Sequence, residues 1–163
     1  MKREPDSIPQ RIYDAALQGA SQLAELLKAG VNINEETTYG RTALMFAADE
    51  GHTDMVNLLL DKGANPNIQH TEGCTALMVA AAKCHTEIVK LLLENKANPN
   101  LQKKNGWTAL HDAAYYGHTE IVKLLLKNDA NPVIYDESCQ TALIKAAEKG
   151  NIEIVELLLN KGV

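Results

Sequence analysis

With 163 residues, 45% of them hydrophobic and 23% charged, the chain is sized and composed for one globular domain around a single core. A formal net charge of −5 supplies no broad positive field for phosphate backbones, so nucleic acid is not an expected partner. Cys74, Cys84 and Cys139, an odd number with no CxxC pair, fit reduced thiols and a cytoplasmic, or also nuclear, location better than a disulfide framework.

In chain order, Met1 to Gln10 is charged and carries two prolines without an apolar core, so it reads as neither signal peptide nor membrane anchor, and no membrane insertion is expected. Residues 1–9 read as a tail. Beyond it the chain repeats itself: Thr-Ala-Leu begins at 42, 75, 108 and 141, evenly spaced and without insertions. The nine residues from His85 to Leu93 recur unchanged from His118 to Leu126. Upstream, Ile12 to Arg41 keeps the pattern with one residue missing between Gly19 and Leu23. The expected organisation is a single domain, 10–163, of five units at about 10–41, 42–74, 75–107, 108–140 and 141–163.

Each unit carries two short apolar periodicities. Leu44, Ala47 and Ala48 stand at i, i+3 and i+4, and Val56, Leu59 and Leu60 repeat that spacing after Gly51. This predicts two antiparallel helices of eight to ten residues, with Thr42 and Thr53 as N-caps and Asp54, Glu87 and Glu120 favouring the dipole of the second helix. Isolated helices shorter than about 12 to 15 residues are marginal in water, so each unit must be stabilised by stacking on the next.

All ten glycines fall in three slots of this frame: the end of the first helix, the end of the second, and the connecting tip. These are positions where a left-handed backbone is expected. Cys84, Lys96, Asp129 and Cys139 occupy the same slots without being glycine, and the sequence marks them as weak points.

The segment TALMFAADEGHTDMVNLLLDKGANPN and its successors resemble ankyrin repeats, and the likeness runs from Ile12 to Val163. Met45, Met78, His111 and Ile144 stand where the family's Thr-Pro-Leu-His places histidine, and Gly51-His52 and Gly117-His118 match its Gly-His. Departures are alanine for proline in the opening tripeptide, Cys84 for a glycine, and an aspartate before the tip that survives only as Asp136. The resemblance implies an all-α solenoid of stacked helix-turn-helix units with projecting hairpin-like fingers. It also implies a concave face of fingers and first helices that binds other proteins and has no chemistry of its own. Asn34, Asn67 and Asn100 match the position at which asparagines of this family are hydroxylated, whereas Val133 has lost it.

The residues themselves argue against catalysis, and no enzyme activity, metal or cofactor is expected. His52, His85 and His118 share one slot of successive units about 8 to 10 Å apart, too far for one ion that needs nitrogens at about 2 Å. They read as structural histidines between repeats. His111 and Asp112 are neighbours that point about 100 degrees apart on a helix and form no acid-base pair by spacing alone. Cys84 replaces a capping glycine, and His70 reads as a solvated finger residue.

Placed on the frame, Tyr13 and Phe46 face the core, while five of the seven rings fall on the expected binding face: Tyr39, Trp107 and Tyr135 in fingers, Tyr115 and Tyr116 at the end of a first helix. Aromatic residues with polar handles are the usual anchors of interfaces. Truncating Trp107 and Tyr115 together is therefore expected to weaken a partner and leave the thermal midpoint nearly unchanged. Charges on the same face drift from acidic, at Asp49 and Glu50, to basic, at Lys83, Lys103 and Lys104, with Arg41, Glu72 and Lys149 completing the candidate surface. The expected partner is a protein or peptide, bound by a chain that is monomeric on its own.

The ends differ. Gln10, Asp14, Gln18, Gln22 and Glu25 make the first unit polar enough to read as a cap facing water, whereas Ile154, Val155, Leu157, Leu158 and Leu159 keep the last unit apolar. Lys145, Glu148, Glu153 and Glu156 soften that unit. The alternative function is the N-terminal targeting or scaffolding part of a longer enzyme or channel whose effector part lies beyond Val163.

Overall fold

A computed structural model describes residues 8–162; the tail expected over 1–9 lies mostly outside it, and Ile8 and Pro9 already belong to the first helix. Ten helices follow in pairs: α1 (Ile8–Gln18) and α2 (Ala20–Lys28), α3 (Ala43–Glu50) and α4 (Thr53–Asp61), α5 (Ala76–Ala82) and α6 (Thr86–Glu94), α7 (Ala109–Tyr116) and α8 (Thr119–Lys127), α9 (Ala142–Glu148) and α10 (Ile152–Leu159). First helices stack α1, α3, α5, α7, α9, and second helices α4, α6, α8, α10. The chain is thus all-α, in five stacked pairs.

The two layers bury different residue types for a physical reason. First helices carry paired alanines, Ala47-Ala48, Ala80-Ala81 and Ala113-Ala114, all at 0% exposure, which lets neighbouring backbones approach closely. Second helices offer Val56, Val89 and Val122 with Leu59, Leu92 and Leu125, also at 0%. The largest side chains therefore fill the space between helix layers. Helices of seven to eleven residues gain their stability from that shared core, because propensity alone does not hold them.

Helix starts are fixed by threonines at the repeat period. Thr42, Thr75 and Thr108 are N-caps whose Oγ1 accepts from the N–H of Met45, Met78 and His111, while Thr141 caps without such a bond. Truncating such a cap typically costs about 1 kcal/mol. The second expected cap is corrected: Thr53 is the first helical residue, and His52 takes the cap position, as His85 and His118 do. Those histidines act further away. His85 and His118 reach the carbonyls of Asp49 and Ala82 in the preceding first helix at 3.4 and 3.2 Å, and Asn151 donates to Ala114 O at 2.8 Å. His52 meets the buried Tyr13 hydroxyl at 2.8 Å instead. One slot therefore satisfies the C-terminal carbonyls that the neighbouring short helix leaves open.

Fingers close in a common way, with Thr37, His70, Lys103 and Asp136 donating their N–H to the carbonyl four residues on at 2.8 to 3.0 Å. Adjacent fingers are joined by Thr71 N–H to Tyr39 O, Lys104 N–H to Glu72 O and Glu137 N–H to Asn105 O. At their bases Asn34, Asn67 and Asn100 each accept from a backbone N–H of the next unit at 2.7 Å, and Asn67 and Asn100 also donate to Lys96 O and Asp129 O. Val133 ends this ladder.

Cys84, Lys96, Asp129 and Cys139 have φ of 62, 65, 62 and 57°, so all four non-glycine residues sit in the left-handed region the frame assigned to them. The tip slot adds a steric reason for glycine. A Cβ on Gly106 would stand 2.7 Å from the Cα of Asp136 in the next finger, while Cys139 is tolerated in the last finger, which no further described finger follows. At the ends, Asp14, Gln18, Gln22 and Glu25 line a hollow with Arg11, Ser21, Ala15 and Leu26, and the last pair exposes Ile152 and Leu159. The reading of Lys145 as a softening surface charge is corrected, because that residue is 7% exposed and ion-paired.

Holding a residue with a Cβ in the left-handed region costs roughly 1–2 kcal/mol, and the higher entropy of an unfolded glycine returns about 0.4–1 kcal/mol of that. Cys84→Gly and Lys96→Gly are therefore expected to raise the urea midpoint, nearly additively, with Asp129→Gly gaining less, and the third unit should exchange its amides fastest among the internal repeats. Lower stability in both glycine variants would refute the strain. In contrast, Gly106→Ala must push two finger backbones apart and is expected to cost about 2 kcal/mol or more by the same denaturation measurement.

Candidate binding face

Four positions recur along the face made by fingers and first helices, and they face one another in pairs. The last finger residue of each unit is Arg41, Cys74, Trp107 or Gln140; the residue facing it near the end of the first helix is Asp49, Ala82, Tyr115 or Glu148. Arg41 Nη2 lies 3.0 Å from Asp49 Oδ2, the Trp107 and Tyr115 rings are 5.3 Å apart, and Gln140 Nε2 donates to Glu148 Oε1 at 2.8 Å. One backbone register thus presents a charge pair, a small pair, an aromatic pair and a hydrogen-bonded pair in succession.

A second pair of positions holds opposite charges in opposite order. Lys103 in a finger reaches Asp112 on α7, with its Nζ 2.7 Å from both carboxylate oxygens. One unit on, Asp136 in the finger meets Lys145 on α9 at 2.9 Å, with side-chain exposures of 3% and 9%. Lys145 Nζ also donates to Gln140 Oε1. Burial pushes the Asp112 carboxyl up, opposed by Lys103. At Asp136 burial works in the same direction but is outweighed by Lys145 and by the N–H groups of Gln140 and Ser138, which hold the carboxyl at about 2.

Trp107 lies between these two ion pairs. Its Nε1 donates to Asp136 Oδ2 at 3.1 Å, and its ring has Lys145 Nζ 5.2 Å and Lys103 Nζ 5.8 Å from the centroid, within cation–π range. It stacks on His111 at 6.2 Å. That histidine is buried as expected of a structural residue: Nδ1 accepts from Thr108 N–H, Nε2 meets Gln140 O at 3.2 Å, and burial pushes its pKa down. The expectation that truncating Trp107 spares the thermal midpoint is therefore corrected, since the half-buried indole is a hydrogen-bond partner of a buried carboxylate.

Beyond Trp107 the rings continue outward. Tyr115 meets Tyr116 edge-on at 5.1 Å, and Tyr116 stacks on His118 at 6.1 Å while remaining 55% exposed. Lys149 Nζ lies 4.3 Å over the Tyr115 ring, and the interaction with Tyr115 raises its pKa. By the same step back along the stack, Lys83 leans on Asp49 at 3.7 Å. The structure thus joins Trp107, Tyr115, Tyr116 and Lys149 in one cluster, Arg41, Asp49 and Lys83 in a second, and Glu72 with Lys104 at 3.3 Å in a third.

Tyr39 and Tyr135 are exposed but make no ring contact with the cluster among the described residues, and Glu50 is exposed at the end of α3. The acidic-to-basic drift is largely cancelled locally, because Asp49 is held by both Arg41 and Lys83. His70 is half-buried and accepts from Glu72 N–H at 2.9 Å, so it is a finger-closing residue; burial, then Arg41, lowers its pKa. The Cys74 thiol, buried, is pushed up to about 11. Among the described residues, no group of three or more His, Cys, Asp or Glu could hold a metal ion, and no helix is long and apolar enough to cross a membrane.

The family model described as Ankyrin repeats (3 copies) matches residues 12–103 and again 95–163. The chain belongs to the ankyrin-repeat family, whose arrays are usually non-catalytic and serve as protein-binding modules. No curated protein matches the chain closely.

Sequence reasoning missed the paired roles of Lys103, Asp112, Asp136 and Lys145. The signal was present: aligning consecutive units on their Thr-Ala-Leu starts sets Lys103 over Asp136 and Asp112 over Lys145, with charges exchanged.

Asp136→Asn keeps an oxygen for the N–H groups of Ser138 and Gln140 but leaves Lys145 without its counter-charge. Breaking a buried pair costs about 3–5 kcal/mol, and with Gln140 still accepting from Lys145 the expected loss is about 2–3 kcal/mol at neutral pH. Because the folded carboxyl is depressed, this stabilisation is present above the unfolded value near 3.8 and is lost as pH falls through about 2. The stability gap between wild type and variant, followed by denaturation from pH 6 downward, should narrow below pH 4; a constant gap would exclude the ion pair as its source.

Proposed function

We propose that this chain is a non-catalytic binding module, a single domain of five repeats over 10–163, that holds a protein or peptide along its finger and first-helix face in the cytoplasm. The observation that carries this reading is the joined cluster of Trp107, Tyr115 and Tyr116 on that face, with Tyr116 held by rings on two sides and still largely exposed. Exposed aromatic side chains that are already fixed lose little freedom on binding, which is what hot spots require. Lys149 borders the cluster, and Arg41, Asp49 and Lys83, a separate charged group further along the face, orient what it anchors, while Glu50, Glu72, Lys104, Tyr39 and Tyr135 extend the surface toward its edges.

Tyr115→Ala with Tyr116→Ala is expected to cost a bound partner about 2 kcal/mol or more, and to change stability less than Trp107→Ala does. Titration of a partner recovered with the wild-type chain against both variants measures this. Equal affinity for wild type and the tyrosine variant would remove the cluster from the interface.

Asn34, Asn67 and Asn100 are proposed as sites of asparagine hydroxylation. Their amides already bridge consecutive units, so modification requires the local finger to open. Intact-mass measurement after incubation with an ankyrin-directed asparaginyl hydroxylase is expected to show added oxygen, slower in Lys96→Gly if that variant tightens the third unit. An unchanged mass would exclude the sites.

A further inference from the structure

The chemistry of the occupant, which rests on the binding-face reading above, is written in one row of residues. Glu50, Lys83, Tyr116 and Lys149 occupy one position in successive units and form that row along the stack, at the ends of α3, α5, α7 and α9. Tyr116 stands between two lysines. Its ring is fixed by Tyr115 at 5.1 Å and His118 at 6.1 Å, yet it is 55% exposed, so an apolar partner group can cover it at low entropic cost.

The charges around this ring are unevenly satisfied. Lys103 and Lys145 are closed by Asp112 and Asp136 and contribute no net field. Lys83 shares the single carboxylate of Asp49 with Arg41, leaving that trio one positive charge in excess. Lys149 has no ion-pair partner among the described residues. Its ammonium rests on the Tyr115 ring, and the neighbouring Glu148, which accepts from Gln140 and keeps its charge, acts on it without forming an ion pair. Two exposed ammonium groups, Lys83 and Lys149, therefore flank an exposed, immobilised ring, with Glu50 closing the row at one end.

We propose that the occupant is an extended acidic segment that packs one apolar side chain on Tyr116 and Tyr115 and lays carboxylates on Lys83 and Lys149. Units stack about 10 Å apart, so the two lysines lie about 20 Å apart along the row. An extended chain advances about 3.3 Å per residue, which sets the two acids about six positions apart with the apolar residue midway. Selectivity comes from spacing as well as sign.

The test is selection of a random ten-residue peptide library displayed on phage against the full chain, followed by titration of the enriched peptides. Enriched sequences are expected to carry two acids about six positions apart around a central aromatic or large aliphatic residue. Lys83→Glu with Lys149→Glu should weaken them at least tenfold, as should Tyr116→Ala and 0.5 M sodium chloride. All three residues are exposed, and an unchanged thermal midpoint shows that the variants remain folded. A basic or uncharged consensus, or affinity unaffected by the lysine reversals but lost in Tyr115→Ala, overturns the acidic occupant and leaves the binding face standing. Peptides indifferent to every ring and lysine of the row overturn both. Self-association of the wild-type chain that Tyr116→Ala abolishes would assign the row to a second copy and overturn the proposal.

Discussion

The fold depends on one constraint: helices of seven to eleven residues are too short to stand alone, so every pair must lend a face to its neighbour. Close approach follows from the alanine pairs in the first-helix layer, and the valines and leucines of the second layer fill what remains. Stability is then a property of interfaces between units more than of the units themselves. The polar ties run the same way. Histidines and Asn151 reach back to carbonyls of the preceding first helix, and Asn34, Asn67 and Asn100 bind the backbone of the following unit.

Because stacking fixes the backbone so regularly, side-chain identity is released at the few positions that face outward. The pair formed by the last finger residue and the end of the first helix shows this: Arg41 with Asp49, Cys74 with Ala82, Trp107 with Tyr115, Gln140 with Glu148. Of these eight residues, Cys74 is the one buried in the core. The outward side chains therefore change from unit to unit along one row at a time, at a spacing set by the stack.

Trp107 shows that the separation between scaffold and surface is incomplete. Its indole closes a hydrogen bond to the buried Asp136 carboxylate and lies between two ion pairs, while its other neighbours, Tyr115 and Tyr116, lead outward to solvent. A partner that contacts Tyr115 thus touches a ring that is coupled to the junction of the fourth and fifth units. The outermost tyrosine, Tyr116, is less tied to the scaffold, since its ring neighbours are Tyr115 and His118.

The sequence by itself determined the period, the helix pairs, the threonine caps of the first helices and the four strained positions at Cys84, Lys96, Asp129 and Cys139, because all of these are local: they follow from the spacing of apolar residues and from what a backbone slot permits. It also placed Tyr39, Trp107 and Tyr135 outside the helices and Tyr115 and Tyr116 at the end of a first helix. Only the tertiary structure decided which of them meet, why Thr53 yields the cap to His52, and why Lys145 is buried when its sequence neighbours are exposed. The reason is distance along the chain. Stacking of two units brings Trp107 to Asp136 across 29 residues, and to Lys145 from further still. A charge alternation of that kind acquires meaning once the frame is folded and Lys103 and Asp136 stand in adjacent fingers, each facing the opposite charge on its own first helix.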